Sequence, residues 1–314
     1  MSAPAGWNRC EPLAPASLRS AGLAELHPLI VSLLERCPQL RSDTDVVCAV
    51  SGGPDSMALV VLAAAAGCRV TAVHVDHGLR EGSSVEAQTV SVVARRVGAA
   101  FRSERVVVAR GPNQEARARV ARYAVLGPNA LTGHTADDQA ETMMLNLLRG
   151  AALNGLSGMR PHRHPLLNVR RHETHELCRV LDLEVVDDPS NRLPVHLRNR
   201  VRAEMLPLMD DLARRDLVPL LVRQAEVWRA DADLLDELAS AIDPTDAKAL
   251  AAAPLALARR AVRSWLSGEH PPDLATIERV LAVARGESAA CETNDGRRIG
   301  RHQQRLSLDG RSLR

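Results

Sequence analysis

Hydrophobic and polar positions along the first two-thirds of the chain alternate so as to predict strands, each followed by a helix. The run Val46-Val47-Cys48-Ala49-Val50 is short, apolar and partly β-branched, which reads as a buried parallel strand. It breaks at Ser51-Gly52-Gly53-Pro54-Asp55-Ser56 and closes into an apolar, alanine-rich helix over residues 57–66. The same sequence of events repeats, with strands at 69–75, 101–108 and 130–132, and helices at 84–98, 113–126 and 137–148; Ser84 is placed to cap its helix. An amphipathic helix at 18–34 precedes the first strand. This alternation predicts an α/β fold, a doubly wound parallel sheet covered on both faces.

Beyond it the pattern changes. Residues 150–167 are rich in Gly, Pro and His and read as a long lid or binding loop. A helix at 173–181, an edge strand at 183–186 and a turn cluster at 187–191 follow. From Val195 the pattern is nearly all helical, with helices near 216–241, 255–267 and 273–285. Residues 291–308 predict a hairpin turning at Asn294-Asp295-Gly296. These features divide the chain into a loose Pro/Ala-rich segment at 1–16, a nucleotide-binding domain at 17–212 and a smaller, mainly helical domain at 213–314.

The 314 residues are 46% hydrophobic and 25% charged with a net charge of +2, so a nucleic-acid surface must come from local clusters. Lys248 is the only lysine; arginine carries the rest of the positive charge and suits bidentate phosphate contacts. The alanine excess points to codon bias as the origin of that total, which leaves the clusters as the informative part. Six cysteines form no C-x-x-C pair, and Cys48 and Cys68 fall in predicted strands. They read as buried thiols of a reducing, cytoplasmic compartment. No secretory leader is expected, and no apolar run reaches the ~18 residues of a membrane span.

The chemistry begins at the first glycine turn. Strand, glycine turn and helix present free backbone N–H groups and the positive end of a helix to an anion. Gly52 and Gly53 allow close approach of a phosphate, Pro54 opens the helix, and Ser51 and Ser56 add hydroxyls. Asp55 would repel phosphate unless a magnesium ion lay between them. No lysine follows, so this is not the G-x-x-x-x-G-K-[ST] loop. His74 and Asp76 lie at the carboxyl end of the second strand, where doubly wound sheets bind ligands. Asp138 and Glu141 are one helical turn apart on a shared face, with His134 just upstream. Asp137 capping the helix and Asp138 tuning its dipole would account for two of these residues, but not for Glu141 together with His134. Arg117, Arg119, Arg122 and Tyr123 share one predicted helix, and Arg198, Asn199 and Arg202 another; each set offers a phosphate fork or a solvated surface. His162, His164, His172, His175 and Cys178 lack the spacing of a known zinc site and read as a basic loop. The arginines at 297–314 could reach an RNA backbone.

Taken in order, S-G-G-x-D-S, H-V-D-H-G-L-R, A-R-x-x-R-Y, G-H-x-x-D-D-Q-x-E-T, L-L-R-G, N-G-L-S-G-M, D-P-S-N and R-N-x-x-R resemble the tRNA(Ile)-lysidine synthetase family of PP-loop ATP pyrophosphatases, over residues 46–207. The resemblance implies a HUP/PP-loop fold and a carbon–nitrogen ligase. Such an enzyme uses ATP to adenylate C2 of the wobble cytidine of tRNA(Ile) with anticodon CAU, then attaches free L-lysine there with release of AMP. It implies ATP and Mg2+ at Ser51–Ser56, with Asp55 on the metal. His134, Asp138 and Glu141 would face lysine, Asp138 or Glu141 serving as base. Arg119, Arg122, Arg198, Asn199 and Arg202 would hold tRNA or ATP phosphates. It leaves room for a homodimer and gives no membrane role. Two alternatives stand beside it. A tRNA thiolase would carry paired cysteines, which are missing here. A non-catalytic nucleotide-binding module would not need the His134, Asp138 and Glu141 set.

Overall fold

A computed structural model describes residues 26–76, 83–106, 114–186, 197–268 and 271–309. Residues 1–16, the first part of the helix expected at 18–34, His77-Gly78-Leu79-Arg80 and the D-P-S-N run fall outside them. The chain divides into two compact units, 1–225 and 226–314. The expected change was near residue 212; the division instead falls within the helix Val218–Ser240.

The first unit is built on a parallel sheet in the order β3-β2-β1-β4, comprising β1 (Asp45–Ala49), β2 (Arg69–Asp76), β3 (Ala100–Arg105) and β4 (Leu131–Thr132). Cys48 pairs with Ala72 on one side and Leu131 on the other, so β1 is central and its carboxyl end opens between two neighbours. Helix α1 (Pro28–Leu34) precedes β1, α2 (Pro54–Ala65), α3 (Ser83–Arg96) and α4 (Gln114–Leu126) supply the crossovers, and α5 (Ala136–Leu148) follows β4. The run from Met57 to Ala64 has no side chain more than 1% exposed. An α2 apolar all round is a helix buried all round, and it packs against β1, β2, α1 and α7 (Arg171–Val180). This anchors the start of α2, and with it the turn after β1, to the core. Cys48 and Cys68 are buried thiols, and burial raises the pKa of both.

The stretch at 150–167 is more structured than its composition implied. It holds a short helix α6 (Leu153–Leu156) and a 3-10 turn, Pro161–Arg163. Buried Gln139 explains the order: its side chain donates to the carbonyls of Ser157 and Met159 and accepts from the Met159 N–H at 2.8 Å. The expected edge strand at 183–186 is not formed. Val186 donates instead to the Gly52 carbonyl at 3.0 Å, so this stretch braces the glycine turn rather than the sheet. Helix α8 (Leu197–Arg200) runs through a π-helical turn, Val201–Met205, into α9 (Leu206–Ala213).

Helix α10 (Val218–Ser240) leads into the second unit, which contains α11 (Ala247–Ala252), α12 (Leu255–Leu266) and α13 (Leu274–Arg285) around Leu250, Val262, Ile277, Leu281 and Ile299. The expected hairpin is a three-stranded antiparallel sheet of β5 (Ala290–Glu292), β6 (Arg298–His302) and β7 (Arg305–Asp309). Its second turn rests on Gln303 and Gln304, with φ of 45° and 64°. Two left-handed residues suit a two-residue hairpin loop, but glutamine carries none of the sequence signal that glycine does.

Candidate active site

The turn after β1 is shaped by its glycines and two serines. Gly52 has φ of +91°, and a Cβ there would lie 2.7 Å from Val186 Cγ2. Gly53 is the N-cap of α2 and has no capping side chain. The Ser56 hydroxyl donates to the Gly53 carbonyl at 2.8 Å and accepts from the Ser51 N–H at 3.2 Å. Pro54 and Asp55 therefore begin α2 with its first N–H groups left for an anion. His74 is only 2% exposed, and its Nδ1–H donates to the Val50 carbonyl at 3.0 Å. It braces the junction from beneath, while Asp76 closes β2.

Asp55 is caught between opposing influences. Burial raises its pKa to about 6; the Thr174 hydroxyl and Arg171 pull it down, and Asp138 and Asp137 push it up. Thr174 donates to Oδ1, and Arg171 Nε lies 3.7 Å from Oδ2. This is a hard oxygen donor whose charge the protein leaves under-compensated, in the same turn as Ser51 and Ser56. Those features fit magnesium, a cation that takes oxygen ligands.

Helix α5 supplies the facing wall. Its N-cap is Thr135, not Asp137, and Asp138 closes a capping box by accepting from the Thr135 N–H at 2.9 Å. Asp137 is drawn away to Arg170, at 3.1 Å from both Nε and Nη2, and to the Arg171 N–H at 2.8 Å. Asp138 Oδ1 accepts from Arg171 at 2.8 Å and Arg198 at 3.3 Å. Burial alone would raise its pKa, but Arg171, Arg198 and His134 outweigh it and hold the carboxyl at about 2. Glu141 is 0% exposed. It accepts from Arg171 at 3.0 Å, Arg198 at 2.8 Å and Arg202 at 2.7 Å.

One residue joins the two walls. Arg171, at the start of α7, reaches Asp55 on α2 and both Asp138 and Glu141 on α5. Burial disfavours its charge, yet the three acids raise its pKa further. Gly133 brings the walls close enough: a Cβ there would fall 2.5 Å from the Asp55 carbonyl oxygen. The turn after β1 and the acid pair are therefore neighbours, bridged by Arg171.

His134 belongs to a second cluster at the end of β4. The Thr132 hydroxyl lies 2.6 Å from His134 Nδ1 and 2.6 Å from His164 Nδ1, and the two rings meet edge to face at 4.9 Å. Next to His164, the Arg163 guanidinium sits 4.6 Å from the centroid of the Tyr123 ring, with Arg122 at 5.6 Å.

The site residues expected from the sequence thus fall into groups. Ser51, Gly52, Gly53, Pro54, Asp55, Ser56, His134, Asp138 and Glu141 gather around the junction of α2 and α5. Arg198 and Arg202, expected on RNA, are turned inward onto Glu141 and Asp138, and Asn199 lies between them, half-buried. Their neighbour Arg200 takes Glu204 instead. Arg122 lies against Tyr123, and the Arg119 side chain is outside the described set. Arg171, Thr174, Arg163 and His164 were not foreseen as parts of the site. Arg171 and Thr174 belong to an ordinary amphipathic helix start, and His164 to a loop read only as basic.

Comparison with known proteins adds the lineage. Residues 27–209 match the model of the PP-loop domain. A tRNA(Ile)-lysidine synthase of Nocardia farcinica is 40% identical over 77% of this chain and 83% of its own length. That of Mycobacterium bovis is 38% identical over 80% and 85%. Among solved structures, the U34-tRNA thiolase NcsA from Methanococcus maripaludis aligns with a TM-score of 0.49 and 16% identity, over 63% of this chain and 78% of that one.

Proposed function

The chain belongs to the PP-loop family of tRNA(Ile)-lysidine synthases, and from that membership we infer that it is an ATP-dependent ligase that joins lysine to C2 of the wobble cytidine in tRNA(Ile) with anticodon CAU. The observation that carries this reading is Arg171. By touching Asp55 and the Asp138–Glu141 pair at once, it makes the nucleotide loop and the acid helix two walls of one site.

In the first step the C2 oxygen of cytidine attacks the α-phosphorus of ATP and pyrophosphate leaves. The N–H groups at the head of α2 and the hydroxyls of Ser51 and Ser56 receive the pyrophosphate charge. Asp55 would hold Mg2+, which when bound neutralises charge on the leaving group. In the second step the lysine ε-amine attacks C2 and AMP departs with the former carbonyl oxygen. The attacking amine must be unprotonated and must lose a further proton as the bond forms.

The sequence favoured Asp138 or Glu141 as base. In the structure both are matched by guanidinium groups, and Asp138, held at about 2, is a weak base at neutral pH. Imidazole is the side chain suited to accept a proton in that range. We therefore assign proton acceptance to His134, and to the two carboxylates the fixing of the arginines and of the electrostatic field around the amine.

The test is an omission assay. ATP, lysine and unmodified tRNA are supplied together and with each left out, pyrophosphate release is followed, and the anticodon nucleoside is analysed by mass. The expected result is a lysine adduct that requires all three. Pyrophosphate release independent of tRNA, or a sulfur-containing nucleoside, would refute the assignment.

A further inference from the structure

The Thr132 hydroxyl stands at equal distances, 2.6 Å, from the Nδ1 atoms of two histidines, and those atoms are 3.3 Å apart. A hydroxyl has one proton to donate and lone pairs with which to accept. It can donate to one imidazole Nδ1 only, so the other Nδ1 must carry a proton and donate to Thr132. When both rings are neutral, the ring that donates at Nδ1 has a bare Nε2, and the ring that accepts at Nδ1 carries its proton on Nε2. The two tautomers are therefore coupled in opposite senses through one oxygen.

This bears on His134, because only a bare Nε2 can take up a proton from the amine. We propose that His164 is a positioning residue for the ligation step: by accepting at Nδ1 from Thr132, it leaves the Thr132 oxygen to accept from His134 Nδ1–H, which fixes His134 as the Nε2 base. The proposal rests on the assignment of His134 as proton acceptor. Three features support a built arrangement. Thr132 is buried and ends β4, so the hydroxyl is held by the sheet. The edge-to-face packing of the rings limits rotation of both. His164 is delivered by the 3-10 turn at 161–163, in a stretch tied to α5 through Gln139. Asp138 interacts electrostatically with His134, and a carboxylate nearby favours the imidazolium formed when Nε2 is protonated.

Because the contact is made by Nδ1, the depth of the polar atom matters. In His164→Asn the amide lies where Nδ1 lies; in His164→Gln it lies near Nε2; His164→Leu has none. With tRNA, ATP and saturating lysine, the expected kcat for lysidine formation in His164→Leu and His164→Gln falls about 10- to 100-fold, part of the ~10²–10⁴-fold worth of a general base. The lysine KM and lysine-independent pyrophosphate release stay within about threefold of the wild type in both, and His164→Asn keeps kcat within the same range. In a His134→Ala background, His164→Leu causes no further loss. Equal losses in the Asn and Gln variants would overturn the proposal, as would a full-strength His164→Leu beside an inactive His134→Ala. If His134→Ala itself keeps its kcat, the reading of His134 as base fails instead. Should the Leu variant not fold, the Asn and Gln pair still decides.

Discussion

Replacing Glu141 by alanine removes the acceptor on which three guanidinium groups converge. Glu141 has no exposed surface and accepts five hydrogen bonds, two from Arg171, one from Arg198 and two from Arg202. Arg171 retains Asp138 and Asp55, and Arg198 retains Asp138. The charge left unmatched is that of Arg202, whose remaining acid lies 3.8 Å away. Breaking a fully buried ion pair from one side costs about 3–5 kcal/mol, but the Arg202 side chain is 34% exposed, so solvent screening cuts the cost to roughly 1.5–3 kcal/mol. For a unit of this size, each kcal/mol lowers the melting temperature by roughly 2–4 °C, so a fall of about 3–12 °C is expected. The readout can be confined to the right unit. Trp228 sits on the helix that crosses the division whereas Trp265 lies within the second unit, so in a Trp7→Phe, Trp228→Phe background fluorescence follows that unit while far-UV circular dichroism follows both. The expected result is an early loss of ellipticity with an unchanged fluorescence transition. A shift below about 2 °C would mean that the arginines are satisfied without Glu141, and the argument that it is a structural anchor rather than the base would fail.

Other outcomes follow from the same geometry. Asp55→Asn should raise stability above pH 6. Because the folded-state pKa of Asp55, about 6, lies above its ordinary value, its contribution is present in acid and lost as pH rises through 6. The roughly two-unit shift is worth about 3 kcal/mol, the gain should vanish near pH 4 in urea titrations, and adenylation should be lost. Asp138→Asn should act in the other direction: the carboxylate held at about 2 contributes stability above pH 4 that is lost as pH falls toward 2, so the variant should show a flatter acid limb in thermal melts. Gly133→Ala places a Cβ against the Asp55 carbonyl oxygen, its carbon and Ser56 Cα, none of which can move aside without shifting the start of α2. A loss of about 1–3 kcal/mol and a rise in the KM for ATP are expected, measurable by denaturation and pyrophosphate release.

The sheet and its crossovers were legible because strand and helix periods alternate cleanly and because one helix is apolar on every side. The phosphate cradle was legible for a different reason: glycine, proline and serine at a strand end have few other uses. What the pattern hid was partnership. Arg198 and Arg202 are spaced like a surface fork, and nothing in their neighbourhood says that they reach back to Glu141 rather than outward. Arg171 and Thr174 look like any first turn of an amphipathic helix; their role comes from α7 packing beside α2, a tertiary fact. Gln139 gave no sign that it would order the glycine-rich stretch after α5. Val186, read as a strand residue, donates to Gly52 because the turn needed a partner more than the sheet needed an edge.

The arginines that satisfy Glu141 also set an order of events as the chain leaves the ribosome. The acid is made first, and Arg202 follows 61 residues later, an interval of about 3–12 s at ~5–20 residues per second. During that time Arg171, made 30 residues after Glu141, is the one member of the arginine set the chain can offer the acid helix before residue 198 appears. The first unit cannot reach its final packing when β4 and α5 appear, but only after the whole stretch to the π-helical turn has emerged. A release factor acting early, or a stop codon between 171 and 198, would yield a chain with every strand of its sheet but with Arg198 and Arg202 missing from the lock that seals it.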